Sequence, residues 1–282
     1  MQRRERWASW SGAERVQGAR ESLARGIDFL LARQAKSGVF TDFATLAGES
    51  DEWTTAYVAE GLREGAAAGG HRGADVDEAL ERAATLLATR WRVGAGWGYN
   101  QRVPADADST AWALIFLRTR PAAVEISAAT AALRGHQMPG GGVATYRNAT
   151  SLQSAMELPP STDVSGWCAP HASVTASAGR ALWGRPGAEA ASATDAAWRY
   201  LEAQADPAGF WPSYWWTEPF YATAEAVTLA LALGRRTSEC STLRRGLDWL
   251  SSRQDGAWGL LAEGGQPATV FSSAAAFRAL AR

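Results

Sequence analysis

The chain is short of cysteine, of net charge and of long apolar runs. Its two cysteines, Cys168 and Cys240, are too few for a disulfide framework. With 28 basic and 29 acidic residues the formal charge is −1, so there is no electrostatic footprint for nucleic acid. No stretch approaches the roughly 18 uncharged apolar residues of a membrane span. Met1-Gln2-Arg3-Arg4-Glu5-Arg6 lacks the apolar run of a signal peptide. These absences lead us to expect a soluble, cytoplasmic protein with no nucleic-acid partner. Its 282 residues suffice for one large domain.

Tryptophan, by contrast, is abundant, with 14 residues. That is more than a helical core needs, and many lie beside Gly or Pro in loops. An aromatic-lined cavity would account for them.

The chain also repeats. Arg25-Gly26-Ile27-Asp28-Phe29-Leu30 is followed by Gln34 and Gly38-Val39-Phe40. Arg245-Gly246-Leu247-Asp248-Trp249-Leu250 is followed by Gln254 and Gly256-Ala257-Trp258. Weaker copies run from Trp198 through Gln204 to Gly209-Phe210-Trp211, from Leu133 through Gln137 to Gly140, and from Leu86 to Gly96-Trp97. After each turn comes a polar loop and a helix rich in small residues. These helices start near Trp53, Ser109, His171, Tyr221 and Val270. A helix hairpin cannot bury its apolar face alone, so hairpins stack. The small-residue helices form the inner layer, and the amphipathic helices bearing Arg199, Glu202, Arg244 and Asp248 form the outer one. The expected architecture is all-α: an α/α toroid, or double-layered helical barrel, of five or six hairpins. Phe40, Trp97 and Trp258 are expected to staple one hairpin to the next.

The inner helices run in one direction, so their N-termini gather at one rim. The stretch Val103-Pro104-Ala105-Asp106-Ala107-Asp108-Ser109-Thr110-Ala111-Trp112 lies there. Asp, Ser and Thr there cap a helix, because their oxygens accept the free N–H groups of its first turn. The other reading is a carboxylic acid held at the mouth of an apolar pocket.

The repeat, Arg-Gly-x2-aromatic-Leu-x3-Gln-spacer-Gly-x-Trp, resembles the QW repeat of squalene-hopene cyclases and other class II terpene cyclases. Their barrel is shared with the β subunits of protein prenyltransferases. The resemblance covers nearly the whole chain and implies one barrel domain over residues 1–282, without the second cyclase domain. Asp106-Ala107-Asp108-Ser109-Thr110-Ala111 is similar to the family's Asp-x-Asp-Asp-Thr-Ala motif, whose middle Asp protonates an alkene or epoxide. That position is Asp108 here, and Ser109 replaces the third Asp. The resemblance thus implies proton-initiated cyclisation of a linear isoprenoid, of isomerase or lyase type.

Burial would keep the proton on Asp108, and a charged Asp106 would oppose its ionisation. His171, which begins the next inner helix, is expected to hydrogen-bond to Asp108. Aromatic faces stabilise a cation without attacking it. The candidates are Trp53, Tyr57, Trp112, Phe116, Trp167, Trp215, Trp216 and Tyr221, although Trp215-Trp216 reads equally well as a packed loop. His136 and His71 read as surface loop residues. If the substrate carries a diphosphate, helix N-termini favour the anion, Mg²⁺ would assist, and Arg90, Arg92 and Arg102 lie near this end. The long loop from Tyr146 to Trp167, a homodimer contact or a peripheral membrane contact would close the mouth. Two alternatives stay open. One is a prenyltransferase-like barrel with zinc on Asp163, Cys168 and His171. The other is a non-catalytic isoprenoid-binding or partner-docking module.

Overall fold

The computed structural model describes residues 11–42, 44–69, 73–120, 124–254, 260–261, 265 and 267–282. Trp258 and His71 lie outside them. Five outer helices alternate along the chain with five inner ones among the described residues. The outer helices are α1 (Gly12–Arg33), α3 (Ala74–Thr89), α5 (Ile126–Arg134), α8 (Ala188–Gln204) and α10 (Ser241–Ser252). The inner helices are α2 (Glu52–Gly69), α4 (Ala107–Leu117), α7 (Ala172–Leu182), α9 (Phe220–Ala232) and α11 (Val270–Leu280). The expected toroid is what forms. Each inner helix packs on the next in the order α2, α4, α7, α9, α11. The ring closes where Tyr57 meets Phe271 at 5.8 Å and Arg278 donates to Glu64 at 2.7 Å. No described helix is long and apolar enough to cross a membrane.

The outer-to-inner turns share one construction, which explains the repeat. A threonine in the first turn of each of the first four inner helices accepts the N–H of a residue in the preceding turn. The pairs are Thr55 with Phe40, Thr110 with Trp97, Thr175 with Val143 and Thr223 with Trp211, at 2.8–3.0 Å. The repeat glutamine then stitches neighbouring hairpins. Gln34 donates to its own turn at Gly38 and to Ala79 of the next outer helix, and Gln137 does the same to Gly141 and Ala193. The tryptophans work the other way: Trp97 and Trp211 donate their indole N–H back to Leu87 and Leu201, on the outer helix just completed. The hydrogen-bonded link between hairpins is therefore made by glutamine, while the Trp211 ring lies against Gly246 of the next outer helix.

Gly209 shows how tight the stitch is. Its φ is +102°, and a Cβ there would lie 2.4 Å from the carbonyl oxygen of Arg245 on the next outer helix. Gly209→Ala must strain a left-handed backbone and push α10 outward. We expect it to cost about 2–4 kcal/mol, the sum of the two effects, read as a lower urea midpoint with unchanged slope.

The long turn between α5 and α7 carries a short helix, α6 (Ala149–Ala155), and a 3₁₀ turn at Ser165–Cys168. Tyr146, Leu152 and Val164 form a small core of their own on the rim, with Met156, Leu158 and Trp167 packed against it.

Candidate active site

Asp106 and Asp108 face different tasks, although they are two residues apart. Asp106 is the N-cap of α4. Its carboxyl accepts the Ser109 backbone N–H at 2.8 Å and the Ser109 hydroxyl at 2.7 Å. Ser109, where the resembled motif has a third Asp, is thus used within the cap. Asp108 sits in the first turn of α4 and points across the ring. Its Oδ2 accepts the indole N–H of Trp53 from α2 at 2.7 Å, and its Oδ1 meets the hydroxyl of Ser177 from α7.

Both acids are held well above the usual carboxylate range. Burial pushes Asp108 up to about 6; hydrogen bonds from Ser177 and Trp53 pull it down, and the charge of Glu225 pushes it up. Burial pushes Asp106 up to about 7; the two bonds from Ser109 oppose this, while Asp108 and Glu52 add to it. Burial thus favours the protonated form of both acids. The carboxylate that opposes ionisation of Asp108 is Glu225, in place of the expected Asp106.

Aromatic rings continue from the acid. Trp53 stacks on Tyr57 at 5.0 Å and touches Trp216 at 6.2 Å. Trp216 stacks on Phe271 at 4.2 Å, and both meet Tyr221, at 5.6 and 5.4 Å. Asp108, Trp53, Tyr57, Trp216 and Phe271 all keep part of their surface free of contact. Three inner helices and one rim loop thus contribute to a single aromatic group, beside an acid from a fourth inner helix.

Several expected site residues lie elsewhere. Phe116 is fully buried in the core two turns below Asp108. Trp112 is also fully buried; its indole N–H goes to the Tyr221 hydroxyl at 2.9 Å, and the guanidinium groups of Arg180 and Arg278 lie over its ring at 5.2 and 5.1 Å. Its π face already serves two cations of the protein itself. Trp167 and Trp215 pair with each other at 5.6 Å on the rim, with Trp215 donating to Thr145. His171 does not reach Asp108. Its Nε2 lies 2.6 Å from the Gly166 carbonyl oxygen and its ring stacks on Tyr214 at 4.0 Å. It caps α7 six residues before Ser177, about 9 Å along the axis at 1.5 Å per residue. His136, expected at the surface, is buried against the Ala144 carbonyl, and desolvation lowers its pKa to about 4.

The alternative zinc set is not assembled. Asp163 is tied to the Ser165 N–H and His171 to Gly166. Among the described residues no group of three or more His, Cys, Asp and Glu side chains is placed to hold a metal ion. Of the rim arginines, Arg90 pairs with Asp51, and Arg92 grips the buried Glu52 through two bonds of 3.0 Å.

Sequence reasoning missed Ser177, Phe271 and a buried ion network. In that network Glu225 receives Arg180 and Arg278, and Arg278 also reaches Glu64. A polar residue on an inner helix facing the acid was the only available signal for Ser177.

The chain has a type II terpene cyclase-like fold. The particular neighbours are solved structures of longer chains, of which this one spans about three quarters. A protein from Actinoplanes is 29% identical, with a TM-score of 0.76 over 93% of this chain and 74% of that one. The type II terpene cyclase MstE from Scytonema, as a variant in complex with geranylgeranyl dihydroxybenzoate, is 27% identical, with a TM-score of 0.76 over 92% of this chain and 72% of that one. A further MstE variant holds its product, merosterolic acid A, at 27% identity and a TM-score of 0.76, over 93% and 74% of the two chains. No family model and no curated protein matches the chain.

Proposed function

We propose that this barrel is a terpene cyclase that starts cyclisation of a linear isoprenoid by protonating its terminal alkene or epoxide with Asp108. The observation that carries the reading is one carboxyl, enclosed and raised to about 6, at the edge of an aromatic group drawn from three inner helices and a rim loop. The neighbour's complexes with a geranylgeranyl-bearing aromatic acid and a cyclised product support the same substrate class.

The step balances simply. The alkene π pair forms a new C–H bond with the Asp108 proton, and the O–H pair stays on the carboxylate. Further alkenes close onto the cation, which ends by losing a proton or capturing water. A carboxyl in bulk water would be ionised at neutral pH and useless as an acid. Here burial keeps the proton available, while the position in the first turn of α4 favours the carboxylate once formed. Trp53, Tyr57, Trp216 and Phe271 offer π faces and no nucleophile to the cation. Closure of the mouth by a second copy or by a bilayer surface belongs to the same proposal. A cytoplasmic setting is the compartment it assumes.

The test is incubation of the purified protein with geranylgeranyl dihydroxybenzoate, squalene, and farnesyl and geranylgeranyl diphosphate, with and without Mg²⁺, followed by mass spectrometry. An isomeric cyclised product, or its water adduct, is expected. Recovery of every substrate unchanged would sink the reading. The pH dependence has a definite sign. The protonated acid is the active form, so kcat/KM should be flat below about pH 6 and fall about tenfold per unit above it. A rate that rises with pH would contradict an acid-initiated step.

A further inference from the structure

We propose that Ser177 is a positioning residue that accepts a hydrogen bond from the Asp108 Oδ1–H and then donates one to the carboxylate left when that proton goes to the substrate. This rests on the reading of Asp108 as the acid. The argument starts from hydrogen-bond polarity. The indole N–H of Trp53 can only donate, and it meets Oδ2 at 2.7 Å. A carboxylic acid accepts best at its carbonyl oxygen, so this bond makes Oδ2 the carbonyl and leaves the proton on Oδ1. Oδ1 lies against the Ser177 Oγ. The same Oγ is 3.1 Å from the carbonyl oxygen of Val174, one turn earlier on α7.

A hydroxyl has one proton to give and two lone pairs to offer. With its proton on Val174, Ser177 accepts from Oδ1–H and orients the acid. Once that proton has turned about the C–Oδ1 bond from Ser177 to the alkene and passed to it, the hydroxyl turns about the Cβ–Oγ bond and donates to Oδ1. The only bond broken is Oδ1–H and the only bond formed is the substrate's C–H. No heavy atom has to move, and Ser177 is fully buried, so bulk water does not compete.

No other neighbour can reverse in this way. Trp53 cannot accept and the Val174 carbonyl cannot donate. The Tyr221 hydroxyl on α9 receives the N–H of Trp112, and the Asp108 carboxyl is bonded by Trp53 and Ser177 instead. The remaining titratable groups around the acid are Asp106 on its own helix, Tyr57 on α2, Arg180 on α7, Glu225 on α9 and Arg278 on α11. Asp106 is held by Ser109, and Arg180 and Arg278 by Glu225.

The experiment compares Ser177→Ala and Ser177→Thr with the parent by two readouts. One is kcat/KM against pH. The other is the infrared C=O stretch of protonated Asp108, assigned by its loss in Asp108→Asn, which needs no turnover. Ser177→Ala should lower kcat/KM about 10- to 100-fold and raise the pH limb by about one unit, as expected for losing a hydrogen bond to a charged group. It should also move the C=O stretch to higher frequency, because the acid proton loses its acceptor. Ser177→Thr keeps the hydroxyl and should restore all three. A Ser177→Ala protein with the parent's limb and stretch overturns the proposal even if its rate falls, since packing alone would then explain the loss. If no substrate turns over, the cyclase reading fails by itself and the infrared shift still decides the role of Ser177.

Discussion

Asp108→Asn is expected to abolish cyclisation while leaving the barrel intact. The side chains are nearly isosteric. The amide oxygen still accepts from Trp53, and the amide N–H₂ faces Ser177 in place of the acid. What disappears is the transferable proton. A positioned general acid contributes about 10²–10⁴-fold, and here it also supplies the electrophile, so product should drop by at least that factor. Stability should move in the opposite direction. In the native state Asp108 is raised from 3.8 to about 6, so the unfolded chain holds fewer protons between those values. Its favourable share is complete below the unfolded value and is lost as pH rises through the folded one. The variant, which cannot ionise, should therefore melt at a higher temperature than the parent at pH 8, with the gap narrowing toward pH 4. Product analysis beside thermal denaturation at both pH values checks this. An active, unperturbed variant would remove Asp108 from the mechanism.

The second large effect concerns Glu225→Ala. Glu225 and Arg180 are both almost completely buried, and Arg278 reaches the same carboxylate. Removing one member strands a charge in the interior, which typically costs about 3–5 kcal/mol. Here the stranded group is the Arg180 guanidinium over the Trp112 ring, since Arg278 keeps Glu64. Replacing partners together, as in Glu225→Leu with Arg180→Met, should cost much less, because an apolar pair of similar volume avoids the desolvation penalty. Urea unfolding of the single and double variants makes the comparison. A double variant as unstable as the single one would show that shape, rather than stranded charge, governs this region.

How much of this was legible in the sequence depended on periodicity. The layers could be read because outer helices alternate apolar and charged residues while inner ones carry Ala, Ser, Thr and Gly. The turn repeat could be read because Gln34 and Gln254 sit at the same offset from Gly-x-aromatic. The Asp106–Asp108 stretch could be singled out through its resemblance to a known motif. The facing of side chains within the ring could not. On α4 every residue from Ser109 to Leu117 is buried, so no polar stripe separates Phe116, which faces the core, from Asp108, which faces inward. On α7 every residue is buried as well, and Ser177 is hidden among alanines and other small residues. Ring order correctly predicted that α7 borders α4, but it gave no depth. His171 was chosen at the rim, when the contact lies two turns further down. The ion network joins residues 45 and 53 positions apart, and nothing local announces such a pairing.

The stitching between hairpins also sets the order of assembly. Gln34 reaches 45 residues ahead and Gln137 reaches 56, so each hairpin docks on the next soon after that one exists. The contact that closes the circle, Arg278 with Glu64, spans 214 residues. Loop-closure entropy makes such a contact the slowest to form and the last to be rewarded. Until α11 arrives, the growing arc has Tyr57 and Tyr221 but lacks Phe271 between them. The aromatic enclosure around the acid is thus a property of the finished circle, absent from every shorter intermediate on the way to it.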